Sequence, residues 1–335
     1  MLLRRPSSRT RSLASAAGTL WPGLCAAAVA VVVALLVNRY VPAVSAAVVA
    51  VVAGAALASL ARVPERWRPG LAFVSRRVLR VAVALLGLQI AMPQLLALGW
   101  QTIAIVVAAT GLTFAVTPAI GRRLGLSPGT SLLVATGVSV CGAAAIAAMR
   151  ESTDVADDED AAGALGVVVL YGTASLAVVP LLASLAGLTS AQFGVWTGAA
   201  VHEVAQVAAI GAASGVLAAA VTVKLGRVVL LAPIVALTSY RGRRPGGTGS
   251  RPPILPLFVG AFLAMVALRA TGWVPTAVTD AAPGVTNVLM AAALFGLGTG
   301  IDVRRLAKGG RVVLLGGIAT AIIGATSLAG VLLLV

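Results

Sequence analysis

From residue 20 onward the chain is a succession of long apolar runs parted by short stretches that hold nearly all of its charge. A helix that spans a bilayer needs about 20 mostly apolar residues. Runs of that order cover residues 20–37, 41–61, 73–98, 101–120, 128–149, 162–187, 193–214, 216–239, 253–271, 283–302 and 310–334. Ala, Val, Leu and Gly dominate them without strand-like alternation, so they predict helices and not an outer-membrane barrel. The expected fold class is therefore all-α, a polytopic inner-membrane helical bundle of about 11 transmembrane helices. With 59% hydrophobic and 10% charged residues, an ordinary soluble domain, about a quarter charged, is excluded. The formal net charge of +15 does not point to nucleic acid, because the basic residues fall between apolar runs with few aromatics among them.

Those basic residues predict topology. Arg4, Arg5, Arg9 and Arg11, then Arg62, Arg66, Arg68, Arg76 and Arg77, then Arg122 and Arg123, then Arg241, Arg243, Arg244 and Arg251, then Arg304, Arg305, Lys308 and Arg311 all fall on one side if each run crosses once. Short cytoplasmic loops collect Lys and Arg, so that side is the cytoplasm of a bacterial cell, with the N-terminus inside and the C-terminus outside. The same count puts 150–160, with six of the ten acidic residues, outside as a solvated loop. The first run is too long for a signal peptide and is expected to remain as a span. Residues 1–19 then form a basic cytoplasmic N-terminus and 20–335 a single transmembrane domain. Arg241–Arg251, rich in Gly and Pro, predicts a flexible linker.

After an extra helix at 20–37, residues 41–187 and 193–335 each hold five runs. Five is odd, so the halves enter the membrane in opposite senses, which predicts inverted five-helix repeats. The fifth and tenth runs occupy matching places. One carries Thr136-Gly137-Val138-Ser139-Val140-Cys141-Gly142, the other Phe295-Gly296-Leu297-Gly298-Thr299-Gly300-Ile301-Asp302. Small and polar residues of this kind interrupt helices, and interrupted helices at matching places point to a substrate site. A local likeness between Thr136–Ala148 and Thr197–Ala209 competes with this pairing, but it joins spans of the same direction.

Ionisable residues at bilayer depth are costly and mark functional sites by default. His202, the only histidine, and Glu203 form such a pair, with Lys224 and Arg227 following at i,i+3. A dianion in low dielectric needs positive charge and several donors. Lys224 and Arg227 can supply charge; the Gly137–Gly142 amides, Ser139, Cys141 and Thr299 can supply donors. Glu203 with Gln206, one turn on, suits a coupling proton or sodium, and His202 titrates near neutral pH. The plainer alternative is a structural ion pair between Glu203 and Lys224 or Arg227. Gln89 and Asn287 are expected to bond between helices, and Asp302 to be an interfacial helix-end charge. No nucleophile elbow, metal cluster or phosphate loop is present, Cys25 and Cys141 lack metal spacing, and neither enzymatic activity nor a cofactor is expected.

The strings Leu86-Gly87-Leu88-Gln89-Ile90, Gly137–Ile146, His202-Glu203-Val204-Ala205-Gln206-Val207, Val223-Lys224-Leu225-Gly226-Arg227 and Gly296-Leu297-Gly298-Thr299 resemble, in order, the YeiH-type sulfate exporter family, from about residue 20 to the end. The resemblance implies a secondary carrier related in architecture to bile acid and sodium symporters and sodium/proton antiporters, with two broken, crossing helices and sulfate as substrate. This chain has Val138-Ser139 where related strings have Thr-Ser, which removes one hydroxyl from the site. The reading is a secondary active transporter of a small inorganic oxyanion, sulfate or sulfite, working by alternating access, with a coupling proton or sodium and the bilayer as partners. A homo-oligomer is compatible with it. The alternatives are a coupled carrier of an organic anion, such as a sulfonate or carboxylate, and a membrane anion sensor that moves nothing.

Overall fold

The computed structural model describes residues 8–41, 46–61, 63–241, 257–300 and 310–335, and among these every regular element is helical. In chain order the helices are α1 (Ser8–Tyr40), α2 (Ala46–Leu60), α3 (Arg68–Phe73), α4 (Leu79–Leu86), α5 (Met92–Ala97), α6 (Gly99–Arg123), α7 (Pro128–Ser139) and α8 (Ala143–Ser152). There follow α9 (Asp158–Leu185), α10 (Ser190–Ala200), α11 (Val204–Ala213), α12 (Leu217–Val229), α13 (Leu231–Arg241), α14 (Leu257–Ala270), α15 (Thr276–Gly298) and α16 (Gly310–Leu334). Among the described residues, six stretches are long and apolar enough to cross a bilayer, namely residues 18–40, 99–123, 158–185, 217–240, 276–298 and 310–334. Trp21, Val32, Leu181 and Leu333 stand exposed on these elements, as a lipid-facing surface requires and a water-facing one disfavours.

The expectation of eleven simple spans gives way to two groups of helices that contain two hairpins. In the first group α2 packs on α15 so closely that a Cβ on Gly54 would stand 2.4 Å from the Phe295 carbonyl. Small residues of this kind let membrane helices approach backbone to backbone. Helices α1, α3, α4 and α14 complete the group through contacts such as Gly23 on Gly70 and Gly87 on Phe262.

The second group is built around α6, α9, α12 and α16. Between α6 and α9 the chain enters and returns on the same face. Gly129, at the start of α7, abuts Ala156 just after α8, and Gly137 abuts Ile146 across the bend. Ser127 Oγ donates to Asp160 Oδ1 at 2.6 Å, closing the base of this first hairpin. A second hairpin, α10–α11, lies at the other end of α9. Gly194 of α10 and Gly211 of α11 both sit on Val216, so the two helices return to a common base where α12 starts.

Helix α9 links the two bases, with Asp160 at the first and Val179 and Ala183 packed beside Val195 and Ile210 of the second. The hairpins therefore start at opposite ends of α9, and each is made of helices of 10–12 residues, shorter than a bilayer needs. The runs at 128–149 and 193–214 each turn back on themselves, and the segment Arg150–Asp160 stands at the same end of the molecule as Ser127, just after Arg122 and Arg123. This corrects its placement on the opposite side. The linker at 242–256, Arg62, and Asp302 with Arg304, Arg305 and Lys308 lie outside the described residues.

Candidate functional site

Each hairpin starts at a hydroxyl cap, which satisfies the open amides of a helix start. Ser127 Oγ accepts from the Thr130 amide at 2.9 Å ahead of Pro128. Thr189 Oγ1 accepts from the Gln192 amide at 3.2 Å, and the Gln192 side chain returns the bond at 3.0 Å. Each first helix then stops in the middle of the protein. After Ser139 the backbone leaves the helix at Val140–Gly142, with Gly142 at φ +78°, a conformation that favours glycine. After Ala200 it runs extended at Val201 and at Glu203. A second interruption in the middle of the protein lies at 201–203; α15 continues unbroken through Gly296 to Gly298, and Ile301 and Asp302 of the tenth run lie outside the described residues. The likeness between Thr136–Ala148 and Thr197–Ala209 is thus the structural pairing. The objection from direction disappears because neither segment crosses.

Where the two bends meet, five open carbonyls converge on α12. Lys224 and Arg227 are both completely buried there. Lys224 Nζ donates to Val140 O at 2.7 Å and to Val201 O at 2.8 Å, one from each bend. Arg227 donates from Nε to Ser139 O (3.2 Å), from Nη1 to Gly198 O (3.3 Å) and Val201 O (2.9 Å), and from Nη2 to Val138 O (2.8 Å) and Ser139 O (2.9 Å). Helix C-termini carry partial negative charge and favour cations. Two such ends facing one another from opposite sides explain why both cations tolerate burial.

A guanidinium has five N–H donors and an ammonium three. Arg227 has committed all five to carbonyls, so it has charge to offer an anion and no hydrogen. This corrects its expected place among the direct ligands. Lys224 keeps one donor. The structural ion pair also fails to form, because Glu203 has no Lys or Arg partner among the described residues. The Glu203 side chain lies instead over the other bend: a Cβ on Gly142, the N-cap of α8, would stand 2.7 Å from Glu203 Cγ and 3.2 Å from its Oε1.

The remaining expected residues divide. His202 Nε2 meets Thr320 Oγ1 of α16 at 3.0 Å, while its Nδ1 has no partner. Gln206 Oε1 accepts from the Glu203 amide at 3.3 Å, and its Nε2, buried against Gly172 of α9, has no partner. Gly137, Ser139, Cys141 and Gly142 all lie at the first bend and are buried. Thr299 does not join them; it ends α15 beside Gly54, with Oγ1 bonded to Gly296 O at 2.7 Å. Asn287 is exposed on α15 and Gln89 half-buried, and neither bonds across helices among the described residues. Sequence reasoning missed the carbonyl acceptors, Thr320, and Thr197, whose buried Oγ1 lacks a partner; only the Thr-Gly likeness signalled the last.

A cavity of about 940 Å³ opens between the helix groups, lined by Ser75, Arg76 and Arg80 on one wall and Ile146, Arg150 and Glu151 on the other. Two ion pairs join its walls, Arg80 Nε to Glu151 Oε2 at 2.7 Å and Arg76 Nη2 to Asp158 Oδ2 at 3.5 Å. Because α8 supplies Ile146, Glu151 and, at its other end, Ala143, the cavity and the meeting point of the bends share one hairpin.

Comparison with known proteins agrees in extent with this domain. A family model described as Conserved hypothetical protein 698 matches residues 22–317. A UPF0324 membrane protein of Corynebacterium glutamicum is 38% identical over 318 residues, 93% of this chain and 92% of that one. The UPF0324 membrane protein TauZ of Paracoccus pantotrophus is 37% identical over 84% of this chain and 86% of its own. Another, from Agrobacterium fabrum, is 31% identical over 85% and 83% respectively. Matched over this length and at this identity, the chain belongs to the family of Conserved hypothetical protein 698, the UPF0324 membrane proteins.

Proposed function

We propose that this protein is a secondary active transporter of a small inorganic oxyanion, sulfate or sulfite, that binds where the two hairpin tips meet and works by alternating access. One observation carries the reading. Lys224 and Arg227 are fully buried and Glu203 is the one acidic residue in that region, so with all three ionised the tips hold uncompensated positive charge. Burying such charge is expensive, and a bound anion relieves it. The spare donors on Lys224 and Gln206, the Ser139 and Thr197 hydroxyls, and the half-helix amides supply the hydrogen bonds an oxyanion needs. Inverted pairs of interrupted helices are how many secondary transporters place such sites. The resemblance to YeiH-type exporters supports sulfate, and the two-walled cavity supports movement of one helix group against the other. The basic face is the cytoplasmic face in this reading, with the C-terminus outside. Direction follows the gradients.

The size of the cavity favours, as a second reading, a larger organic anion such as a sulfonate. Uptake of labelled sulfate and sulfite into sealed liposomes, with unlabelled sulfonates and carboxylates as competitors, separates the two. Saturable sulfate or sulfite uptake blocked by the other inorganic oxyanion is expected. Uptake that only sulfonates inhibit transfers the assignment to the second reading, and protein-independent uptake of every anion removes both.

A further inference from the structure

Glu203 sits where the two bends meet. The C-terminal ends of α7 and α10 are closed by Lys224 and Arg227, so the positive backbone ends at the meeting point are the starts of α8 and α11. The start of α8 faces a carboxylate from the other hairpin, Glu203, which is 6% exposed and seated over Gly142, the N-cap of α8. Two donors nearby in the fold lack acceptors: the third N–H of Lys224, left over from two bonds, and the Gln206 Nε2 group on the first turn of α11, which is buried against Gly172 of α9 and 1% exposed. A carboxylate in a pocket of donors built for a larger set of acceptors resembles a tethered competitor for that pocket.

We propose that Glu203 is an internal anion that holds the N-terminus of α8, and that the substrate oxyanion takes this position only when Glu203 accepts a proton, so that each dianion binds together with one proton. This rests on the oxyanion-carrier reading above. The exchange balances. One proton adds to the Glu203 carboxylate and neutralises it, the carboxyl withdraws from the start of α8, and the dianion accepts from the open amides there and from Lys224. The two buried cations then face two negative charges, whereas a dianion beside an ionised Glu203 leaves one negative charge in excess. Release runs in reverse. The groups facing Glu203 are Lys224 on α12, with Arg227 one turn beyond, and Cys141 in the first bend; α9 presents Val168 and Gly172, and His202 on its own bend is engaged with Thr320.

The test uses the full chain and radiolabelled sulfate. In detergent, wild-type affinity for sulfate should rise about tenfold for each unit fall in pH over the range where one linked proton binds. Glu203→Gln, permanently neutral, should bind sulfate tightly with no pH dependence. In liposomes carrying an internal pH indicator, wild-type sulfate entry should acidify the lumen by one proton per sulfate, a measurement that stands if the variant does not fold. Sulfate entry without acidification, or a folded Glu203→Gln that keeps the wild-type pH dependence or loses sulfate binding, overturns the proposal and leaves the carrier reading standing. A wild type that neither binds nor moves sulfate or sulfite removes that reading, and the coupling with it.

Discussion

Lys224 and Arg227 sit one helical turn apart with equal burial, yet their donor accounts separate their roles. Arg227→Ala would strip donors from four carbonyls of the two bends. Breaking a buried charged cluster by removing one member costs on the order of 3–5 kcal/mol, so a fall in melting temperature of the purified protein is expected along with lost activity. Lys224→Met leaves two carbonyls, Val140 and Val201, without that donor. It should melt closer to wild type while losing sulfate binding. Equal melting temperatures for the two variants would count against the clamp. At Gly142 the backbone lies at φ +78° and a Cβ would stand 2.7 Å from Glu203 Cγ. Gly142→Ala should therefore lower stability by about 1–3 kcal/mol and displace Glu203, which the pH dependence of sulfate binding would report.

The hairpin is the element that makes the site, and its base is held by polar contacts among 127, 130, 157 and 160. Asp160 accepts from the hydroxyls of Ser127 and Thr130 while sharing a reciprocal cap with Asp157, whose Oδ1 takes the Asp160 amide at 2.8 Å. Asp160→Ala leaves both hydroxyls without this acceptor. Cap losses cost about 1 kcal/mol each. The expected result is local: faster amide hydrogen exchange across 127–139 and 153–165, with 190–213 unchanged. Equal acceleration in both hairpins would mean that the base does not hold the first one independently. The acidic segment, expected as a solvated loop, is therefore part structural, closing a hairpin and pairing with Arg76, Arg80 and Arg150.

At the scale of the whole molecule, the re-entrant geometry makes a topological prediction. With Cys25 and Cys141 replaced, Arg122→Cys and Val155→Cys, both at exposed positions, should react with an impermeant thiol reagent from the same side of sealed vesicles, and Ala186→Cys from the other. Labelling of 122 and 155 from opposite sides would restore a simple crossing at 128–149. The ion pairs Arg80–Glu151 and Arg76–Asp158 span the cavity between the helix groups. If the groups move against each other during transport, joining Arg80→Cys to Glu151→Cys with a short bifunctional thiol reagent should stop sulfate flux, and reversal of the link should restore it. Undiminished flux in the linked protein would place the motion elsewhere.

Apolar runs of spanning length determined an all-helical membrane protein, because a bilayer leaves backbone amides no partner except their own helix. The same logic made His202, Glu203, Lys224 and Arg227 stand out, since charge at that depth is tolerated only for a reason. Run length alone does not distinguish one continuous helix from two half-helices that turn back: 128–149 and 162–187 look alike in composition, and only the second lies in one unbroken helix. That choice rests on contacts distant in sequence, Gly137 on Ile146 and Ser127 with Asp160. Tertiary structure likewise decided the partners of the buried charges. From spacing, Glu203 belongs with Lys224 or Arg227. In the fold, two helix ends present carbonyls to the cations and the start of α8 faces the carboxylate, and these backbone charges exist only where tertiary packing breaks the helices.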